Sequence, residues 1–403
     1  MRVLLAHSFY GSAAPSGENR VFETERDLLR RRGHEVRELV RHGDELRSRG
    51  ALGAIRGGLA TPWNPFEARR MAAEVEAFRP DVVHVHNTFP LLSPAVFRAI
   101  PRGVGRLLTL HNCRLFCPGA TLLRDGRLCT DCLDRRSVLP ALAHGCYRGS
   151  RLATAPIAVS VWLHRALGTW QHHVDRFIFL NRFQRDLMVK AGLPAARACL
   201  KPNFYPGDPA VVPWSERGDY ALFAGRLEPE KGVESLVRAW LAWGEGAPEL
   251  RVAGTGSEEA ALRALAATRP GVRVAFLGQL PSPAAELLIA RARLLVLPSR
   301  ALEGFPMVIR EAFAFGTPVA AAETEPLPTI VERGVSGVVF HPGDPAALLA
   351  RVRAAWERPG ELERLASGAR AAFDRLYCEE VGYEALMRVY EEARSAARQR
   401  GGA

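Results

Sequence analysis

The sequence predicts an α/β protein made of two Rossmann-like domains that face each other across a cleft. Three observations carry this. The chain has 403 residues, 48% of them hydrophobic, enough for two sizeable cores and too long for one ordinary domain. Short β-rich runs alternate with helical patterns in both halves, as βαβ units on a parallel sheet require. Between the halves, Lys201 to Pro213 carries four prolines in thirteen residues, the composition of an interdomain linker.

The elements follow in order. In the first half, RVLLAH, DVVHVH, RLLTLH and RFIFL read as strands. NRVFETERDLLRRRG reads as an amphipathic helix, with Gly33 at its C-terminal cap. In the second half the strands are YALFAG, LRVAG, VRVAFLG, LLVLP, PVAAA and GVVF, separated by helices such as GVESLVRAWLAW and AELLIARAR. The expected domains are residues 1–203, with a cysteine-rich insertion at about 113–146, and residues 204–378. A C-terminal helix over 379–403 is expected to pack back on the first domain. No repeat or heptad run is present. No apolar run reaches 18 residues, so no membrane-spanning helix is implied. The N-terminus reads as a strand rather than a signal peptide, which implies a cytoplasmic chain with reduced thiols.

In open α/β sheets, ligands sit outside the carboxyl ends of the strands, and four segments at such ends stand out. In LLVLPSRALEGFPMVIREAFAFG, Glu303 and Gly304 form the turn after a buried strand. Pro306 suits the first helical position, and the helix runs from Met307 to Phe315. Its free N–H groups make an anion site, bracketed by Glu303 and by Glu311 on the second turn. Such a pair suits a sugar nucleotide, with hydroxyls on both sides of a phosphate. A capping glutamate and a surface glutamate would give the same pattern. FAGRLEPEKGVESL places Arg226 and Lys231 at a strand end, both able to reach one diphosphate. VAGTGSEEA offers Gly254 and Gly256 for close backbone approach, and AFLGQLP is a fourth loop of the same kind.

This order of segments resembles the retaining GT-B glycosyltransferases of family 4, with Glu303 and Glu311 matching that family's E-x7-E motif. PSGENRVFETERDLLRRRGHEVREL is similar to the family's N-terminal glycine loop and first helix, with the glycines thinned to Gly11 and Gly17. DVVHVHNTFPLLSP, LTLHN, FLNRFQRDLMVKAGLP and KPNF extend the likeness over nearly the whole chain. The resemblance implies that Arg226 and Lys231 neutralise the donor diphosphate and that Glu303 contacts the transferred sugar. Backbone N–H groups around Phe305, Pro306 and Met307 would help hold it, and Glu311 would bind the ribose. Gly254, Gly256 and the segment Gly278–Leu280 would frame the base. Gly17 and Asn203 would lie near the nucleotide. His111 would act near the sugar and the acceptor hydroxyl, although a histidine satisfied by backbone at a strand end reads the same. The family implies no metal or cofactor for transfer itself.

Five of the seven cysteines fall between Cys113 and Cys146. TLLRDGRLC reads as a hairpin with Asp125-Gly126 in its turn, which would bring Cys117 beside Cys129-x2-Cys132. With Cys146 as a fourth corner, this set suits structural zinc. Reduced thiols, or a disulfide in an oxidising compartment, are the alternatives. Cys113, Cys199 and Cys378 read as ordinary buried cysteines.

The formal charge of +11 is unevenly spread. Residues 1–203 hold 31 Lys and Arg against 17 Asp and Glu, and residues 204–403 hold 23 against 26. A basic first half suggests an anionic partner. No nucleic-acid module is recognisable, so the expectation is an anionic acceptor, such as a lipid-linked phosphate. SRLATAPIAVSVWLHRALGTWQHHVDR suits an interfacial helix lying peripherally on anionic lipid at the inner membrane face, or one covering a lipid-linked acceptor, although by itself it reads first as an ordinary buried core helix. The function expected is transfer of a hexose-type sugar from a nucleotide sugar, with retention and by a front-face mechanism. The alternatives are an epimerase of the same shape and a catalytically silent nucleotide-sugar-binding protein. A phosphorylase of this shape would need a pyridoxal phosphate lysine, and Lys231 is better employed at the diphosphate.

Overall fold

The computed structural model describes residues 1–11, 16–48 and 50–402. Its chain divides into two compact units. One comprises Met1–Arg124, Cys129–Pro202 and Tyr383–Ala403, and the other Asn203–Gly382 with the four residues Asp125–Leu128.

The first unit is built on six parallel strands. They are β1 (Arg2–Phe9), β2 (Glu35–His42), β3 (Val82–Asn87), β4 (Gly105–Leu110), and then, beyond a small hairpin of β5 (Leu123–Arg124) and β6 (Arg127–Leu128), β7 (Arg176–Phe179) and β8 (Ala198–Leu200). The sheet order is β2-β1-β3-β4-β7-β8. β1, β3, β4 and β7 are largely buried along their length, the near-continuous apolar runs that a covered parallel sheet demands. β2 is different. EVRELVRH alternates and keeps charged residues at the sheet edge, so its sequence carries no apolar run to announce a strand. The hairpin turn fits its residues: Asp125 and Gly126 both have positive φ, 52° and 73°, as a type I′ turn needs.

The helix Gly17–Arg31 buries Val21, Phe22, Leu28 and Leu29. It packs Phe22 and Leu29 into a core with Val3, Leu5, Val82, Leu107 and Ile178. The long last helix, Glu379–Gly401, adds Leu386, Val389, Tyr390 and Ala393 to that same core. The helix Gly50–Ala60, rich in glycine, packs beside Arg151–Ala166. No helix among the described residues is long and apolar enough to cross a membrane.

The second unit has strands β9 (Tyr220–Ala224), β10 (Glu249–Ala253), β11 (Val274–Gly278), β12 (Leu294–Leu297), β13 (Val319–Ala322) and β14 (Gly337–Phe340). All neighbours are parallel, in the order β11-β10-β9-β12-β13-β14. This is the doubly wound Rossmann order, and its direction reverses between β9 and β12. A crevice opens outside the carboxyl ends of two such strands, because their connections leave to opposite sides. The chain leaves the first unit at Pro202 and enters the second at Asn203, within the proline-rich segment. Lys201 is buried in the first unit, and Asn203, Phe204 and Tyr205 are buried in the second.

Candidate active site

The loops after β9 and β12 meet at the reversal point of the second sheet. Gly232, at φ +67°, ends the β9 loop, and a Cβ there would sit 2.2 Å from Pro298 O, so only glycine admits this approach. The N–H groups of Arg300 and Ala301 both donate to Glu230 O, at 2.8 and 3.3 Å. Lys231 is thereby held against the β12 loop, its Nζ 2.6 Å from Glu303 Oε1. Ser299 Oγ donates to the same oxygen at 2.7 Å. Ser299 lies inside the motif segment but carries no sequence signal of its own. Arg226, in the same loop, is largely exposed and 3.3 Å from Glu230, leaving its guanidinium room to meet an anion.

The helix after Glu303 runs Met307–Ala314, with Pro306 at its N-cap instead of its first turn and without a side-chain cap. Ile309 N donates to Pro306 O at 3.1 Å, which leaves the N–H groups of Met307 and Val308 at the end where the sequence expects an anion. Asn203 Nδ2 lies 3.6 Å from Met307 Sδ beside that end. Glu311 is buried on the helix, not a surface glutamate. Its neighbour Arg310 is buried as well, bonded to Phe204 O.

Backbone bonds lace the glycine loops into one floor. Gly225 N donates to Ala253 O at 3.0 Å, Leu227 N to Thr255 O at 2.9 Å and Gly254 N to Gly278 O at 2.7 Å. Gly254, at φ +132°, has no room for a Cβ, which would lie 1.9 Å from Gly225 O. Gly256 is equally closed, 2.3 Å from Leu227 O, whereas Gly278 at φ +69° faces open space. Leu280 follows it in the turn to the helix Ser282–Arg291. Arg226, Lys231, Glu303, Glu311, Asn203 and the three glycine positions thus all belong to one unit.

His111 and Gly17 belong to the other. Gly17 opens the first helix and is exposed. Pro15, in the loop likened to the family's glycine loop, lies outside the described residues. His111 follows β4 and lines a cavity with His86, Asn112 and Arg114. Behind it runs a buried polar chain. His111 Nε2 is 3.2 Å from His86 Nδ1, and His86 Nε2 is 3.5 Å from Glu25 Oε2. Neither of these last two atoms has a hydrogen-bond partner among the described residues. Glu25 Oε1 holds Lys201 Nζ at 2.5 Å, both side chains 1% exposed. His84 completes the cluster, bonded to Tyr390 and Thr109. Burial first, then neighbouring imidazoles, hold His86 and His111 well below the ordinary histidine range. Burial also holds His7 and His84 at about 4. All four rings are neutral at pH 7, and His111 meets its cavity as a neutral base.

Glu25, His84 and His86 are the one group of metal-type donors among the described residues whose atoms all lie within 4.8 Å of one another. The ammonium of Lys201 already neutralises that carboxylate, so it is a poor cation site. Sequence reading missed Glu25, although the residue leaves a trace: it falls on the apolar stripe of its helix, between Phe22 and Leu29.

The cysteine expectation needs correction. Cys117, Cys129, Cys132 and Cys146 do line one small cavity. No three of their sulfurs, however, close to ligand spacing among the described residues. Burial pushes the Cys132 thiol up to about 11 and raises Cys117 and Cys146 too. The four cysteines thus share one pocket without forming a closed ligand set among the described residues. All seven cysteines are free, and Cys199 and Cys378 are only half-buried.

The chain is similar to known proteins over most of its length. Residues 15–206 match the family model described as Glycosyltransferase Family 4, and residues 207–372 the one described as Glycosyl transferases group 1. The chain is 31% identical over 341 residues to a glycogen synthase of Mycobacterium tuberculosis, covering 80% of this chain and 71% of that one. It is 39% identical over 160 residues to a D-inositol 3-phosphate glycosyltransferase of Catenulispora acidiphila, covering 37% and 38%. Anabaena Alr3699/HepE, solved in complex with UDP, superposes with a TM-score of 0.64 at 19% identity, over 98% of this chain and all of that one.

Proposed function

The chain belongs to the GT-B glycosyltransferases of family 4, and from that premise we propose that it moves a hexose-type sugar from a nucleoside-diphosphate sugar to an acceptor hydroxyl with retention. The observation that carries the donor assignment is the junction of Lys231 with Glu303, 2.6 Å apart at the point where the second sheet reverses. A cation beside a carboxylate there matches a diphosphate joined to a sugar hydroxyl. Lys231 and Arg226 meet the diphosphate, Glu303 the sugar, Glu311 the ribose, and the Gly254–Gly256 and Gly278–Leu280 turns the base. The UDP complex of the Anabaena protein supports the same donor class.

In this reading the bond from the sugar's anomeric carbon to the diphosphate breaks, and negative charge grows on the leaving phosphate. Lys231, Arg226 and the N–H groups opening the Met307 helix stabilise that charge, typically the largest catalytic contribution. The acceptor oxygen bonds to the same face of the anomeric carbon, and its proton passes to the leaving phosphate oxygen. No protein nucleophile is needed. The acceptor is received by the first unit, where neutral His111 accepts a hydrogen bond from its hydroxyl. The excess of basic residues before residue 203 favours an anionic acceptor, such as a lipid-linked phosphate.

Incubation with labelled nucleotide sugars tests this. Nucleotide release that depends on acceptor, with the product's anomeric configuration unchanged by NMR, is the expected result. An isomerised donor, or an inverted product, overturns it.

A further inference from the structure

The outer face of two helices in the first unit is apolar and uncovered. On Gly50–Ala60, Leu52, Ile55 and Leu59 repeat at helical spacing, with Leu52 and Leu59 each 75% exposed. On Arg151–Ala166, Leu152, Val159 and Trp162 do the same, Leu152 at 88% and Trp162 at 59%. The helices adjoin where Gly58 meets Pro156, a Cβ on the glycine lying 3.4 Å from the proline ring. Just beyond, Trp63 stacks on His164, centroids 5.7 Å apart, and Phe66 is exposed. Single exposed apolar residues are ordinary, but adjoining stripes of them mark a contact surface.

Charge identifies the partner. Residues 46–66 contain no Asp or Glu, and neither do residues 135–174. The two helices themselves carry Arg56, Arg151 and Arg165. Arg56 lies on the same helical face as Leu52 and Leu59. A second copy would oppose two such basic faces across a twofold axis, which like charges disfavour. Apolar side chains beside Arg56, Arg151 and Arg165, on two helices that carry no carboxylate of their own, match the boundary of an anionic bilayer, with its phosphates above acyl chains.

We propose that this face docks the protein on an anionic lipid surface. The inner side of the Arg151–Ala166 helix places Ile157, Ser160 and Val161 on the wall of the cavity that holds His111. Docking therefore brings that cavity next to the lipid, where a membrane-borne acceptor would be presented. The inference is independent of the donor chemistry.

The test is co-sedimentation of the full chain with phosphatidylcholine vesicles, with and without roughly one-third phosphatidylglycerol. Binding is expected to be about tenfold greater to the anionic vesicles and to fall as salt is raised. Leu59→Glu with Trp162→Glu should lower it by about tenfold while circular dichroism, thermal midpoint and nucleotide release in solution stay unchanged. Leu52→Glu, alone, should lower it in the same direction. Equal partitioning to both vesicles, binding to neither, or a dimer in solution that the double variant splits into monomers would overturn the proposal.

Discussion

Lys231 Nζ lies 2.6 Å from Glu303 Oε1 although 72 residues separate them. Before any donor arrives, the cation and the carboxylate of the candidate donor site satisfy each other. Binding must trade that pair for a diphosphate on one side and a sugar hydroxyl on the other.

Lys231→Ala is expected to lower kcat for sugar transfer by about 100- to 1,000-fold, the usual cost of losing one electrostatic donor to a transition state. The pair is partly exposed, so the thermal midpoint should barely move, since such pairs contribute roughly 0–1 kcal/mol. Steady-state kinetics and calorimetry together separate the two effects. Near-normal turnover would remove Lys231 from the donor site.

Gly254→Ala and Gly278→Ala form a contrast. Both positions have positive φ, but a Cβ at Gly254 meets Gly225 O at 1.9 Å while one at Gly278 meets nothing within 4 Å. Backbone strain alone costs on the order of 1 kcal/mol. Urea unfolding should show about that loss for Gly278→Ala and a loss at least twice as large for Gly254→Ala, with weaker nucleotide binding, because the Gly225–Leu227 loop must move.

Lys201→Met strands the Glu25 carboxylate inside the first unit, where both groups are buried. A loss of about 3–5 kcal/mol is expected, as for other broken buried pairs. Adding Glu25→Leu should recover most of it. A single variant as stable as the parent would show that the pair is not closed in solution.

The buried histidines make the first unit acid-sensitive. A histidine with a lowered folded pKa binds its proton more readily when unfolded, so its contribution is complete above the unfolded value of about 6.5. As pH falls from there toward about 4, where His7 and His84 titrate in the fold, that contribution is lost. Each such group can cost up to about 1.4 kcal/mol per pH unit. His341 is the one histidine of the 11 that lies beyond residue 203. Calorimetry between pH 8 and 5 should therefore show the first unit's transition falling well ahead of the second's.

The gathering of the candidate donor loops was legible in the sequence because each of them follows a strand directly, so motif and position coincide. The first unit was legible only in part. β2 escaped because an edge strand keeps charged residues and shows no apolar run. The helix Gly50–Ala60 escaped because its apolar residues face outward among glycines, with no core-facing stripe. The Glu25–Lys201 pair joins residues 176 apart, a distance that no local pattern spans. The cysteines were correctly gathered around one cavity, but spacing along the chain does not set sulfur-to-sulfur distance.

The return of the chain to its first unit has a consequence for biosynthesis. Val3 and Leu5 share a core with Leu386, Val389, Tyr390 and Ala393, so β1 waits for a helix that begins only at Glu379. In between, Asn203–Gly382 must be translated, which takes roughly 10–40 s at ordinary elongation rates. On the ribosome, the nascent first unit stands with one wall of its core open, while the later unit has all of its own strands in hand as soon as it emerges. The later-made half therefore has what it needs to mature first, and a chain arrested before residue 386 would present its oldest hydrophobic strand to chaperones.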